Sequence, residues 1–277
     1  MKVADVNLID RLDNLIFPIG KGVFNNEVCI NFELYGTAFL IGSQYFALTA
    51  CHVIENIQSN IQEDKGEYIC GIFKNSKNIR YACCVDYNQK FPPFESHPTQ
   101  DVSIIKIAFN DEIKVSPLFI IENNFRLPAA DYYSMGYPEH LKFDNNFKIK
   151  TSNGTLIPDE INVITKGYIR RLVKYQLPSL KGSNFLELSE VGTPGYSGAP
   201  IVSQYPTTLG IVKDNTLKKQ IICHRLLGIY IGEVSSEIEN NKLYYGYATN
   251  VEAFADWKPK MLNGKSIREI MNVSFEI

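Results

Sequence analysis

The sequence predicts an all-β protein whose strands close into barrels or pack as a sandwich. Three observations carry this reading. Candidate strands are short and evenly spaced, with turn residues between them. Beyond one helical turn after residue 50, helical patterns are confined to the ends of the chain. No long helix alternates with the strands, as an α/β fold requires. The 277 residues are 45% apolar, enough for one large β domain or two smaller ones with a real core.

Taken in order, residues 8–15 could form one or two helical turns, and Leu15–Ile19 reads as a first strand. Pro18 makes that strand an edge, because proline cannot donate to a ladder. Gly36–Ile41 and Tyr45–Thr49 read as strands joined by a turn at Gly42-Ser43-Gln44. One helical turn over Ala50–Asn56 follows. Glu67–Lys74 and Asn78–Tyr87 read as a pair around the polar turn Asn75-Ser76-Lys77. A proline-bearing loop, residues 89–100, leads into Asp101–Ile107, which alternates like a half-buried strand.

Glu112–Leu127 links two halves, with the boundary placed at 124/125, so the expected domains are 1–124 and 125–277. Tyr132–Pro138 reads as a strand and a turn, and later strands fall at Lys148–Thr151, Asn162–Arg171, Phe185–Leu188, Ala199–Ser203, Arg225–Ile231 and Leu243–Thr249. Thr207–Gln220 is polar and reads as an irregular surface excursion. Asn250–Trp257 reads as a turn and helix start. Ser266–Met271 reads as a short helix opened by the capping pair Ser266 and Glu269.

A net charge of −2 leaves no electrostatic footprint for nucleic acid or an anionic membrane. No apolar run reaches the ~18–20 residues of a membrane helix, and the N-terminus lacks a secretion signal. The six cysteines show neither a disulfide framework nor a metal-binding spacing, so the expectation is reduced, buried thiols in the cytoplasm. Richness in Asn, Ile, Lys, Tyr and Phe fits a bacterial, low-GC genome. No cofactor or metal is expected. His97, His140 and His224 lack a matching ligand set and are expected at the surface.

The stretch Gly192-Thr193-Pro194-Gly195-Tyr196-Ser197-Gly198-Ala199-Pro200 organises the chain. Glycine opens backbone angles that other residues avoid, and proline fixes them, so this loop follows a rigid path. Such a path can hold a serine hydroxyl clear of bulk and leave backbone N–H groups free to face an oxyanion. It is equally the composition of an ordinary tight turn. His52, just past a strand end, is either a general base or a structural cap. Asp101, opening its strand, either caps a turn or reaches the histidine's second nitrogen.

Three stretches together resemble the trypsin/chymotrypsin-like serine proteases, most closely the bacterial intracellular and HtrA-type branch. They are Gly36–Ile41 with Leu48-Thr49-Ala50-Cys51-His52-Val53-Ile54, Asp101–Ile107, and Gly195-Tyr196-Ser197-Gly198-Ala199-Pro200-Ile201-Val202. The resemblance spans roughly residues 15–255. It implies two packed six-stranded antiparallel β-barrels with the active site between them, followed here by a short C-terminal helix. It implies His52 as base, Asp101 as its orienter and Ser197 as nucleophile, with the N–H groups of Gly195 and Ser197 as oxyanion hole. It also implies a substrate site at Val191, Thr193, Ile229, Tyr230 and Gly232, along a strand that pairs with extended peptide.

The chain departs from that pattern in places. Cys51 has no evident disulfide partner, no zymogen cleavage signal is visible, and no PDZ domain follows. Val191 stands where trypsin has its pocket-floor aspartate, which argues for an apolar or small residue before the scissile bond. The nucleophile elbow G-x-S-x-G does not fit, since Ala199 occupies the last glycine position. A serine endopeptidase acting on protein or peptide, selective or activated by a protein partner, is the expected function. The alternative is a protease-fold sensor or binding module with little or no proteolysis.

Overall fold

Strand pairing places most of the strands in two largely antiparallel sheets, each curled into a barrel. A computed structural model describes residues 15–25, 28–42, 45–74, 80–87, 92–108, 119–122, 128–137, 142–144, 149–151, 154–156, 162–213, 216–238 and 241–272. Outside them lie the expected helical turns at 8–14, most of the 42–44 turn, the 75–77 turn, His140 and most of the 112–127 link.

The first sheet contains β1 (Ile16–Asn25), β2 (Val28–Ile41), β3 (Phe46–Thr49), β4 (Glu67–Lys74), β5 (Arg80–Cys84), β6 (Phe94–Ser96) and β7 (Ser103–Lys106), in the order β5-β4-β1-β2-β3-β7-β6. A bridge between Val85 and Ile107, with Ala108 N donating to Cys84 O at 3.0 Å, joins the ends of β5 and β7. Six strands thereby close into a barrel. Closure matters because it removes the unpaired edges that an open sheet would present. Phe39, Ala47, Leu48, Ile104 and Ile105 on these strands are fully buried: successive residues face opposite sides of the sheet, so it is packed on both faces.

In the second half, β8 (Phe119–Ile120) runs parallel to a later strand. Strand β9 (Asp131–Gly136) opens the second barrel, and β10 (Lys142–Phe143) returns to pair with β2. Strands β11 (Ile149–Thr151) and β12 (Gly154–Leu156) form a separate hairpin. The second barrel is completed by β13 (Val163–Val173), β14 (Phe185–Leu188), β15 (Pro200–Ser203), β17 (Thr216–Ile238) and β18 (Asn241–Asn250). The circuit β15-β9-β13-β14-β18-β17 closes because β17 also pairs with β15. This is the chymotrypsin-like, all-β architecture that the sequence predicts.

Four expectations need correction. Strand β1 is not an edge: it is flanked by β2 and β4. Pro18 is tolerated because β4 pairs only from Ile19 onward, so the missing N–H falls beyond that ladder. The helical turn after residue 50 is a full helix, α1 (Cys51–Asn60), stabilised by burial of Cys51, Val53, Ile54 and Ile57. Thr207–Gln220 is not irregular: β16 (Thr207–Lys213) and the start of β17 form a hairpin, in which β-branched residues suit the ladder despite their polarity. His224 is fully buried rather than superficial, since it lies on β17 beside Phe119 of β8.

The C-terminal segment returns to the first barrel. Helix α2 (Ile267–Met271) carries the expected capping box: Glu269 N donates to Ser266 Oγ at 3.2 Å and Ser266 N to Glu269 Oε2 at 2.6 Å. Upstream of it, Trp257 stacks edge-on against His97, and Lys260 N donates to Glu95 Oε2. These contacts brace the loop that delivers Asp101.

Candidate active site

Strand β3 runs directly into α1, so His52 stands at the first turn of that helix. The first turn of a helix leaves backbone N–H groups without partners. Ala50 occupies the N-cap and offers no side-chain acceptor. Asp101 supplies it from elsewhere in the chain: Oδ1 accepts from His52 N at 3.0 Å, and Oδ2 lies 2.7 Å from His52 Nδ1. One carboxylate therefore caps the helix and fixes the ring. Its negative charge also suits the positive end of the helix dipole. The Asp101 side chain is 6% exposed, whereas that of His52 is 34% exposed, so the ring reaches from a buried anchor towards solvent. With Nδ1–H donating to the carboxylate, Nε2 keeps its lone pair.

Asp101 is itself held by a tight turn. Val102 N donates to Gln100 O at 2.9 Å, which places Asp101 at the centre of a γ-turn. His97 Nδ1 accepts from the N–H groups of Thr99 and Gln100 at 3.2 and 3.1 Å. Those bonds require an unprotonated Nδ1. Burial, assisted by the nearby Lys181 cation, lowers the pKa of His97.

The serine loop is built from backbone instead. Tyr196 N donates to Thr193 O at 3.0 Å and Ala199 N to Tyr196 O at 2.9 Å, giving two successive β-turns that share Tyr196. Pro194 then glycine with φ +89° at Gly195 is the pattern of a type II turn, and Gly198 at φ +90° repeats it. Ser197 sits at the corner of the second turn. Gly198 N donates to Tyr230 O and Tyr230 N to Ala199 O, both at 2.8 Å, which pins the loop to β17. The ring of Tyr196 is fully buried and fits over Gly136 and Gly192, neither of which leaves room for a Cβ.

Thr37 on β2 joins the two barrels at this point. Its N–H donates to Ser197 O at 2.9 Å, and its hydroxyl donates to Gly195 O at 3.2 Å. The same hydroxyl accepts from Tyr137 N, and its carbonyl accepts from Thr49 Oγ1 at 2.7 Å. The carbonyls of Gly195 and Ser197 are thus both occupied by Thr37. Their N–H groups donate to no acceptor among the described residues. A Cβ on Gly198 would collide with the Thr37 carbonyl, so glycine is obligatory there. Gly36, next in chain, separates the Val53 side chain from Ser197 O; a Cβ there would lie 2.8 and 3.0 Å from them. The helix that carries His52 and the turn that carries Ser197 therefore face each other across one glycine.

Residues 36–211, well over half of the chain, match the trypsin-like peptidase domain. The chain belongs to the trypsin-like peptidase family. No curated protein matches the sequence. Among solved structures, Deg5 shares the fold at a TM-score of 0.55 and 15% identity, covering 94% of this chain and 95% of that one. The HtrA-type protease AlgW with tripeptide gives 0.51 at 14% identity, over 93% of this chain and 63% of its own. AlgW with decapeptide gives 0.51 at 13% identity, over 96% and 67%. At these identities the likeness concerns the fold.

The substrate-site positions expected in this peptidase fold occupy distinct surroundings. Val191 is half-buried and Thr193 exposed, on the approach to the serine turn. Ile229 is fully buried in the core. Tyr230 is buried on the opposite face of β17. Gly232 adopts φ +140° and faces open space. Beyond Tyr230, β17 pairs only with β18 among the described residues, which leaves its other edge free.

All six cysteines are free thiols; five are buried and Cys84 is half-buried. Cys51, beside His52, donates to Glu55 Oε1 at 3.0 Å and accepts from Lys181 Nζ at 3.1 Å, a tie from the second half of the chain to α1. Sequence reasoning missed Thr37, Tyr196 and Lys181. The first two lie inside quoted motifs, so their positions were visible; Lys181 carries no local signal. No group of His, Cys, Asp and Glu able to hold a metal occurs among the described residues, and no described helix is long and apolar enough to cross a membrane.

Proposed function

We propose that this peptidase-family chain is an active serine endopeptidase in which Ser197 is the nucleophile, His52 the general base and Asp101 its orienter. The observation that carries the proposal is the two-oxygen grip of Asp101 on His52, facing the serine turn across Gly36. A serine hydroxyl is a weak nucleophile until a base removes its proton. His52 Nε2 takes the Ser197 proton as Oγ bonds to the substrate carbonyl carbon. The resulting imidazolium passes that proton to the leaving amine, and the acyl group stays on Ser197. Water then attacks the ester with His52 again as base. Asp101 holds the tautomer and supports the transient positive charge.

The free N–H groups of Gly195 and Ser197 meet the oxyanion, each worth about 3 kcal/mol of transition-state stabilisation. Substrate lies as an added strand along the open edge of β17 beyond Tyr230. The reaction needs no cofactor. Six free thiols fit a reducing, cytoplasmic compartment, and the restraint such a location demands comes from substrate selectivity or an activating partner. The test is to treat an unfolded protein substrate with wild type and with Ser197→Ala and to map new N-termini. Cleavage by wild type alone supports the assignment. Equal patterns, or none with any substrate or added cell extract, point to a binding module instead.

A further inference from the structure

Tyr230 adjoins the serine turn, yet its side chain does not reach solvent. Its backbone is bonded to both Gly198 and Ala199, so it is the β17 residue nearest Ser197 by hydrogen-bond connection. Alternation along the strand sends Ile229 into one core cluster and Tyr230 into the other, beneath the segment that leads to Ser197. There the Tyr230 hydroxyl accepts from Gly192 N at 2.9 Å. Its ring stands edge-on to Tyr196, with centroids 5.4 Å apart at 90°. A Cβ on Gly246 of β18 would lie 3.3 Å from Tyr230 Cε2. One ring therefore spans the space between β17, β18 and the 190–196 segment.

Exposure decides what kind of space this is. A tyrosine lining an open slot keeps one ring face wet. Tyr230 is only 3% exposed, so protein covers the ring. On the serine-peptidase reading, a peptide paired with the free edge of β17 and with its carbonyl carbon at Ser197 would present the side chain before the scissile bond to this region.

We propose that Tyr230 closes the acyl-side pocket and restricts the residue immediately before the cleaved bond to small side chains, of the size of Gly, Ala or Ser. The proposal rests on the serine-peptidase reading and adds the class of substrate. Bulkier side chains must displace a ring held by a hydrogen bond and by two facing segments.

The experiment compares labelling rates with peptidyl diphenyl phosphonates that differ only in the side chain beside phosphorus: Ala, Val, Phe or Lys. Wild type is expected to react with the Ala probe at least about tenfold faster than with Phe or Lys, the discrimination a single pocket delivers. Y230A is expected to reverse the order for Phe, while Y230F, which keeps the ring, retains the preference for Ala. Equal wild-type rates with Ala and Phe overturn the proposal without any variant. A small alkyl fluorophosphonate reports separately whether Ser197 is reactive. If it is not, binding of tripeptides ending in Ala or Phe to Ser197→Ala, followed by NMR, still decides. Preference for the Ala-ended peptide supports the closed pocket, and equal or tighter binding of the Phe-ended one rejects it.

Discussion

The two halves of the site are positioned by different kinds of bond. In the first barrel, side chains do the orienting: the Asp101 carboxylate grips the ring and the backbone of His52. In the second, Ser197 is placed almost wholly by backbone, through two shared β-turns, glycines at positive φ, and the bonds to Thr37 and β17. A side-chain grip fails by losing a charge or a donor, with the fold left standing. A backbone-built loop fails by steric displacement, which needs no change in any reacting group. Substitutions in the two halves should therefore lower activity by separable routes.

The largest expected effect is Asp101→Asn. The amide cannot hold the same tautomer, and kcat should fall by about 10⁴-fold. An asparagine oxygen can still cap the helix, so loss of the negative charge at its N-terminus should cost only about 0.3–1 kcal/mol in a denaturant melt. Retained activity would show that His52 does not depend on this partner. Next is Gly198→Ala. The added methyl meets the Thr37 carbonyl, which cannot retreat without moving β2. An ångström of displacement at the serine costs about 10²-fold in rate, so activity should drop at least that much while the His52–Asp101 contact survives, as read by the imidazole NMR signals.

Thr37→Val tests the junction more gently. It keeps the N–H bond to Ser197 O but removes the hydroxyl that serves Gly195 O and Tyr137 N. Leaving those buried groups unpaired should cost about 1–3 kcal/mol of stability. Thr37→Ser should restore most of it, and an unchanged melting point for the valine variant would remove Thr37 from its bridging role.

The smallest effect concerns pH. His97 has a lowered pKa in the fold, so the native state resists the proton that the unfolded chain accepts. Its contribution is complete above its ordinary value of 6.5 and is lost as pH falls below that value towards the lowered one. Stability measured from pH 7 down to 5 should decline more steeply in wild type than in His97→Gln. Parallel curves would exclude His97 as the support of the Asp101 turn.

Much of this architecture was legible because its signals are local. Pro194, Gly195 and Gly198 announce their turns through backbone freedom, and Ser266 with Glu269 announces its cap. The Asp101–Ile107 alternation announces a strand. What escaped depends on tertiary partners. Pro18 reads as an edge residue until β4 is seen to begin pairing one residue later. His224 looks superficial until β8 covers it. The strand character of 207–220 emerges only from its pairing with β17. Lys181 reaches Cys51 across 130 residues, a separation no local pattern encodes. Tyr230 could be placed near the substrate, but its burial, which sets its proposed effect, is a property of packing.

The central claim is that an imidazole from the first barrel acts on a serine from the second. The most direct measurement is the rate at which a small fluorophosphonate modifies Ser197 in wild type and in His52→Ala, with the modified residue identified by mass spectrometry. The structure predicts labelling at Ser197 in wild type and a loss of at least about a hundredfold in the variant, the usual weight of general-base catalysis. Labelling at equal rates in both proteins, or at a residue other than Ser197, would contradict it.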